Sequence, residues 1–219
     1  MSNALTLTAL KAKAKAVRAA SLPRMIFGLD ATASRRDTWT IAQRLQRDLL
    51  TMAQEVGQLE LQIAFFSGLT NFRHTHWSTD GDELAKLMSE IHCQAGQTQI
   101  VRLFDHAIAE ATAAPTRVKC LLYVGDTMED NEAQVLARAK TLGDLNVPIF
   151  MLYEKGQYNN DEPEYRRIAK ASGGAFGEFS EGGIAELRSM LEAIFAYATG
   201  GKDAMRRIPG ALLLLEQMK

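Results

Sequence analysis

A doubly wound α/β fold is predicted by three features of this 219-residue chain. Short apolar runs recur at 25–29, 118–124 and 147–153, too continuous for half-exposed strands and too short for core helices. Between them lie stretches whose apolar residues return at helical spacing, the alternation that builds a parallel sheet covered on both faces. Two of the runs end abruptly at an aspartate, Asp30 and Asp126. In open α/β sheets, ligands sit beyond the carboxyl ends of the strands.

The elements follow in order. Lys11, Lys13, Lys15 and Arg18 precede any acidic residue, but the apolar stretch comes before them rather than after, so residues 1–20 read as a solvated helix and not as a secretory signal. Ser21-Leu22-Pro23 breaks that pattern, and the first strand spans 24–29. Ile41, Leu45, Leu49, Leu50 and Met52 recur at helical spacing within 39–56. Residues 59–66 form a second strand. Residues 71–78 alternate Phe72, His74 and His76 with Arg73, Thr75 and Trp77, as a half-exposed edge strand does. Too few residues separate these two for a helical crossover, so they pair antiparallel.

Residues 80–91 form a helix with Asp80 as N-cap, and a second helix carries Ile100, Leu103, Phe104, Ala107 and Ile108, with Thr98 at its start. Strands at 118–124, 147–153 and 175–179 alternate with helices at 131–142, 161–171 and 184–198. Leu212 to Leu215 dock on the domain or on another subunit. The whole is a Rossmann-like, mostly parallel sheet with one antiparallel edge strand and helices on both faces.

Composition narrows the function. A net charge of −1 gives no reason to expect nucleic acid or an anionic membrane as partner, and no stretch of about 18 apolar residues is present to span one. Cys93 and Cys120 form no CxxC, so neither a disulfide framework nor a structural zinc site is indicated, and Cys120 reads as a small core residue. The expected location is cytoplasmic.

At the carboxyl edge of the predicted sheet stand Asp30, Thr32 and Ser34, then Thr98, then Asp126. Two carboxylates and three hydroxyls, without histidine or thiolate, suit Mg²⁺ or Mn²⁺ rather than zinc or copper. Singly, Asp30, Thr98 and Asp126 also suit helix caps. Their joint placement favours the cation.

These residues resemble the metal-ion-dependent adhesion site of the von Willebrand factor A (VWA) family, which joins an Asp-x-Ser-x-Ser loop, a distant Thr and a distant Asp. Asp30-Ala31-Thr32-Ala33-Ser34 matches the loop, Gly96-Gln97-Thr98-Gln99-Ile100 is similar to the family's Gly-Gly-Thr-Asn-Ile turn, and Leu122-Tyr123-Val124-Gly125-Asp126 to its strand-end Asp. The likeness covers 24–197, so residues 1–22 stand as a helical extension, 23–200 as the domain and 201–219 as a tail. Thr32 replaces the usual Ser but keeps the hydroxyl, and Thr127 follows Asp126 where Gly is frequent.

The resemblance implies a metal with an open coordination position that an Asp or Glu of a protein partner fills, in a chain that is not an enzyme and that serves as a subunit of a larger assembly. Loops 34–39, 71–77 and 127–131 would rim the site, with Trp39 or Trp77 as an anchor. Glu129, Asp130 and Glu132 beside Asp126 could tune the cation or repel acidic partners, but most such loop acids are merely solvated. The competing expectation is a haloacid dehalogenase-like phosphatase: Gly125-Asp126-Thr127-Met128-Glu129-Asp130 resembles its Gly-Asp-x-x-x-Asp metal motif, with Asp30 as nucleophile. That chemistry needs an acid two residues after the nucleophile, where this chain has Thr32.

Overall fold

The computed structural model describes residues 22–35, 59–114, 117–156, 160–180 and 183–218. The helices expected at 1–20 and 39–56, together with Trp39, lie outside them.

Six strands form one sheet in the order β3-β2-β1-β4-β5-β6. They are β1 (Arg24–Asp30), β2 (Glu60–Ser67), β3 (Asn71–His74), β4 (Val118–Gly125), β5 (Ile149–Glu154) and β6 (Ala175–Phe179). All neighbours pair parallel except β2 with β3, which are antiparallel. The two-residue period of a strand sends alternate side chains to opposite faces. Met25, Phe27, Leu122 and Phe150 therefore pack on one side, and Ile26, Leu121, Tyr123 and Met151 on the other.

Helices cover both faces. On the first lie α1 (Gly81–Ser89), α5 (Ile184–Met205) and α6 (Leu212–Leu215), which contribute Leu84, Met88, Leu191, Ile194 and Leu214. On the second lie α2 (Ile100–Ala113), α3 (Glu132–Asp144) and α4 (Glu162–Ser172), with Leu103, Phe104, Val135, Leu142 and Ile168. Asp80 caps α1 by accepting from the Glu83 N–H at 3.0 Å. Gly173 ends α4 in the left-handed region (φ 72°), where a Cβ would be strained. Cys120 is a fully buried core residue, and burial pushes its thiol up.

Of the expected boundaries, that of the edge strand shifts most. The edge strand anticipated over 71–78 is regular only to His74, because the Ile63 N–H turns to the Thr75 hydroxyl (3.1 Å) instead of a backbone carbonyl. The Thr75 N–H still donates to the Ile63 carbonyl at 2.8 Å, and beyond it an isolated bridge joins Ser78 to Leu61. The last long helix is broken at Gly200 and Gly201, close to its expected end at 198, and a short helical segment follows the break to Met205. Of the four leucines in α6, Leu214 docks on the domain at 1% exposure, whereas Leu212 and Leu213 are 66% and 74% exposed. Among the described residues no helix is long and apolar enough to cross a membrane.

Candidate functional site

The sheet order reverses between β1 and β4: from β1 the chain moves to β2 on one side and returns to β4 on the other. Such a switch point leaves a crevice at the carboxyl edge, since the flanking connections leave in opposite directions. The register aligns Leu29 with Val124, so Asp30 and Asp126 end adjacent parallel strands, offset by one residue. Both are buried, at 0% and 7% exposure. Their carboxylates act on a common neighbour: the Tyr123 hydroxyl is held well above its ordinary value by burial first, then by Tyr165, Asp30 and Asp126.

The loop after β1 turns on its own side chains. Asp30 Oδ1 accepts from the Thr32 N–H at 2.8 Å, and the Thr32 and Ser34 hydroxyls lie 3.1 Å apart within a short 3-10 turn, Ala33–Arg35. Thr32 is buried, while Ser34 faces solvent. The Gln94 N–H donates to the Ala31 carbonyl at 3.0 Å, fastening this loop to the segment that leads to Thr98.

Thr98 is locked to the loop after β4. Its hydroxyl donates to Asp130 Oδ2 at 2.8 Å and accepts from the Glu129 N–H at 2.8 Å, while its own N–H donates to Glu129 Oε2 at 3.0 Å. Asp130 reaches further: the Ile100 and Val101 N–H groups donate to its two oxygens at 2.9 and 3.2 Å. It thus caps α2 from a separate loop, where the adjoining Gln99 supplies no side-chain cap. Asp130 is therefore a helix cap rather than a solvated loop acid, while Glu129 stays exposed and still accepts from the Thr98 N–H. The one sequence signal was the four-residue spacing from Asp126, which points equally to a metal motif.

Two further groups steady that loop. Tyr165 Oη donates to the Thr127 carbonyl at 3.1 Å, and the Met128 N–H donates to Asp161 Oδ2 at 3.4 Å. Burial pushes the Asp161 carboxyl up, opposed by that Met128 hydrogen bond and seconded by Glu164 and Glu129. Neither residue carries a motif, so sequence reasoning passed over both.

All five anticipated ligand residues thus stand at one edge of the sheet, on three loops joined by hydrogen bonds. The cap readings of Thr98 and Asp126 recede, since α2 is capped by Asp130 and α3 by Asn131. Trp77 is not part of the rim. β3 runs back along β2, so Ser78 pairs with Leu61 at the amino end of the sheet, opposite Asp30. There the Trp77 indole donates to Glu110 at 2.8 Å and carries the Arg24 guanidinium 4.7 Å above its ring. His74 stacks on His106, with ring centroids 4.2 Å apart.

No protein-family model matches the chain, and no curated protein matches it either. Solved structures do. A von Willebrand factor type A protein from Catenulispora acidiphila superposes with a TM-score of 0.64 at 14% identity, over 82% of this chain and 43% of that one. The fold is von Willebrand factor A-like. An aerotolerance-related membrane protein from Bacteroides fragilis gives a TM-score of 0.62 at 15% identity, over 79% of this chain and 98% of that one. The pilus adhesin SpaC from Lactobacillus rhamnosus GG gives 0.64 at 10% identity, over 85% of this chain and 30% of that one. The VWA-like chain therefore spans less than half of the Catenulispora protein and of the adhesin. Its geometry does not favour the phosphatase alternative, because the second aspartate of that motif, Asp130, is committed to Thr98 and the start of α2.

Proposed function

We propose that this chain is a metal-dependent protein-interaction module, and that Asp30, Thr32, Ser34, Thr98 and Asp126 bind Mg²⁺ or Mn²⁺. The observation that carries this reading is the pair of buried carboxylates, Asp30 and Asp126, ending adjacent parallel strands at the switch point of the sheet. The donor set fits a hard divalent ion: two carboxylates balance its charge, and hydroxyl oxygens fill further positions. Thr98 remains competent, because a hydroxyl offers one proton and two lone pairs. Its proton goes to Asp130 and one lone pair to the Glu129 N–H, which leaves the other for a cation.

When bound, such an ion supplies a Lewis-acidic point charge, and an Asp or Glu from a protein partner completes its coordination. Thr32 and Ser34 hold the first loop, while Glu129 and Asp130 hold Thr98 in place. The module works by recognition, as a subunit of a larger assembly and without turnover of its own.

Calorimetric titration of Mn²⁺ or Mg²⁺ into the full chain tests the site. The wild type is expected to bind, Asp30→Ala to lose binding, and Ser34→Ala, altered at an exposed position, to bind about tenfold more weakly while staying folded. Absence of binding by the wild type, or equal affinity in all three, overturns the reading. Proteins captured in the presence of Mg²⁺ should be released by a chelator and not captured by Asp30→Ala.

A further inference from the structure

We propose that the outer edge of β6 is a self-association site, closed in the monomer by the amide of Gln217 and taken, when that amide swings away, by β6 of a second copy of this chain. The proposal is independent of the metal site.

Among the described residues β6 ends the strand order, so one side of it meets no other strand of the sheet. The Phe179 carbonyl faces β5, where it accepts from the Lys155 N–H at 2.8 Å. Backbone groups of alternate residues point to opposite sides of a strand, so Phe176 and Glu178 turn their N–H and C=O outward. At Phe176 a single side chain meets both. The Phe176 N–H donates to Gln217 Oε1 at 2.9 Å, and Gln217 Nε2 donates to the Phe176 carbonyl at 3.0 Å. One primary amide thereby reproduces the donor and acceptor that a residue of a neighbouring strand would present. An unpaired edge invites strand addition, and this chain covers one residue of it with an exposed side chain.

The edge is complementary to itself. In an antiparallel pair about a two-fold axis through Gly177, Phe176 lies opposite Glu178 of the second copy, and each pair exchanges two backbone hydrogen bonds. The Arg166 guanidinium sits 4.0 Å above the Phe176 ring, and Glu178 projects to the same face, where it meets Lys155 at 3.1 Å. Each Arg166 would then face the Glu178 of the other copy, twice over. Gly177 meets Gly177 with no side chain between. A groove of about 450 Å³ lined by Phe176, Met190, Leu213 and Leu214 runs beside this edge. The same two-fold brings both copies of α6 to one face, where the exposed Leu212 and Leu213 cover each other. A foreign strand has no reason to match this charge pair.

Sedimentation of the full chain across concentration, with amide hydrogen exchange, provides the test. Gln217→Ala should self-associate at a concentration about tenfold lower than the wild type. In that background Glu178→Arg, which opposes like charges across the axis, should restore the monomer, and adding Arg166→Glu should bring the dimer back. In the unaltered chain the Glu178 amide should gain protection as concentration rises, a readout that needs no substitution. Equal behaviour of Gln217→Ala and wild type, association indifferent to Glu178→Arg, or a Glu178 amide whose exchange ignores concentration each overturns the proposal.

Discussion

The Asp130 carboxylate offers the sharpest test of how the site is held, because one side chain joins two loops and a helix start. Asp130→Ala removes the acceptor for the Ile100 and Val101 N–H groups and for the Thr98 hydroxyl. Losing an N-cap acceptor costs about 1–2 kcal/mol, and the charge-assisted contacts from Ile100 and the Thr98 hydroxyl place this case at the upper end. Asp130 is only half-buried, so water recovers part of the loss and the expected total is about 2 kcal/mol. With a urea m-value of about 2 kcal/mol per M, the unfolding midpoint should fall by about 1 M. Asp130→Asn keeps one carbonyl oxygen for α2 but loses the charge, and should fall by about half as much. Thr98 also loses the group that orients its hydroxyl, so Mn²⁺ affinity should drop by about tenfold or more in a variant that is still folded. A midpoint within about 0.2 M of wild type would show that Asp130 is a spectator and refute the latch.

Ser172→Ala should destabilise by about 1–3 kcal/mol in chemical unfolding, because the buried Ile149 N–H donates to that hydroxyl at 2.9 Å and would be left unsatisfied. Tyr165→Phe should cost about 1 kcal/mol and speed amide exchange in the loop after β4, since the bond to the Thr127 carbonyl is removed. Gly96→Ala places a methyl 2.0 Å from the Gly68 carbonyl oxygen, so unfolding should ease by about 1–3 kcal/mol and metal binding weaken as the Thr98 loop shifts. His106 is held below its ordinary value of 6.5 by burial first and by His74 second. The unfolded chain therefore takes up the proton more readily, and stability should fall as pH drops through and below that value. His106→Asn should flatten the melting temperature between about pH 7 and about pH 5, and an unchanged slope would assign the dependence to other groups.

The strands were legible in sequence because buried parallel strands need continuous apolar runs, such as those ending at Asp30 and before Asp126, whereas their order in the sheet came only from the fold. The antiparallel partner was legible from connection length alone, since the few residues between β2 and β3 cannot make a crossover. The boundaries were less so. The early end of β3 rests on the Thr75 hydroxyl substituting for a carbonyl, which no periodicity encodes.

Aspartates at strand ends and a hydroxyl at a helix start were enough to nominate Asp30, Thr32, Ser34, Thr98 and Asp126, because residue type and position along an element are local properties of the chain. What holds Thr98 is not local. Asp130 and Glu129 lie about thirty residues beyond it, and whether an acid in a loop is solvated or caps a distant helix depends on how the two loops meet. The same is true of Trp77, which sequence placed beside the site and the antiparallel return of β3 carried to the opposite end. It is true again of Gln217, an unremarkable tail residue until folding sets its amide against Phe176. Sequence alone determined which side chains would stand at the carboxyl edge of the sheet, since that follows from apolar runs and the residues that end them. Only the tertiary structure decided which distant side chains lock that edge in place, because hydrogen bonds across loops are chosen by three-dimensional proximity.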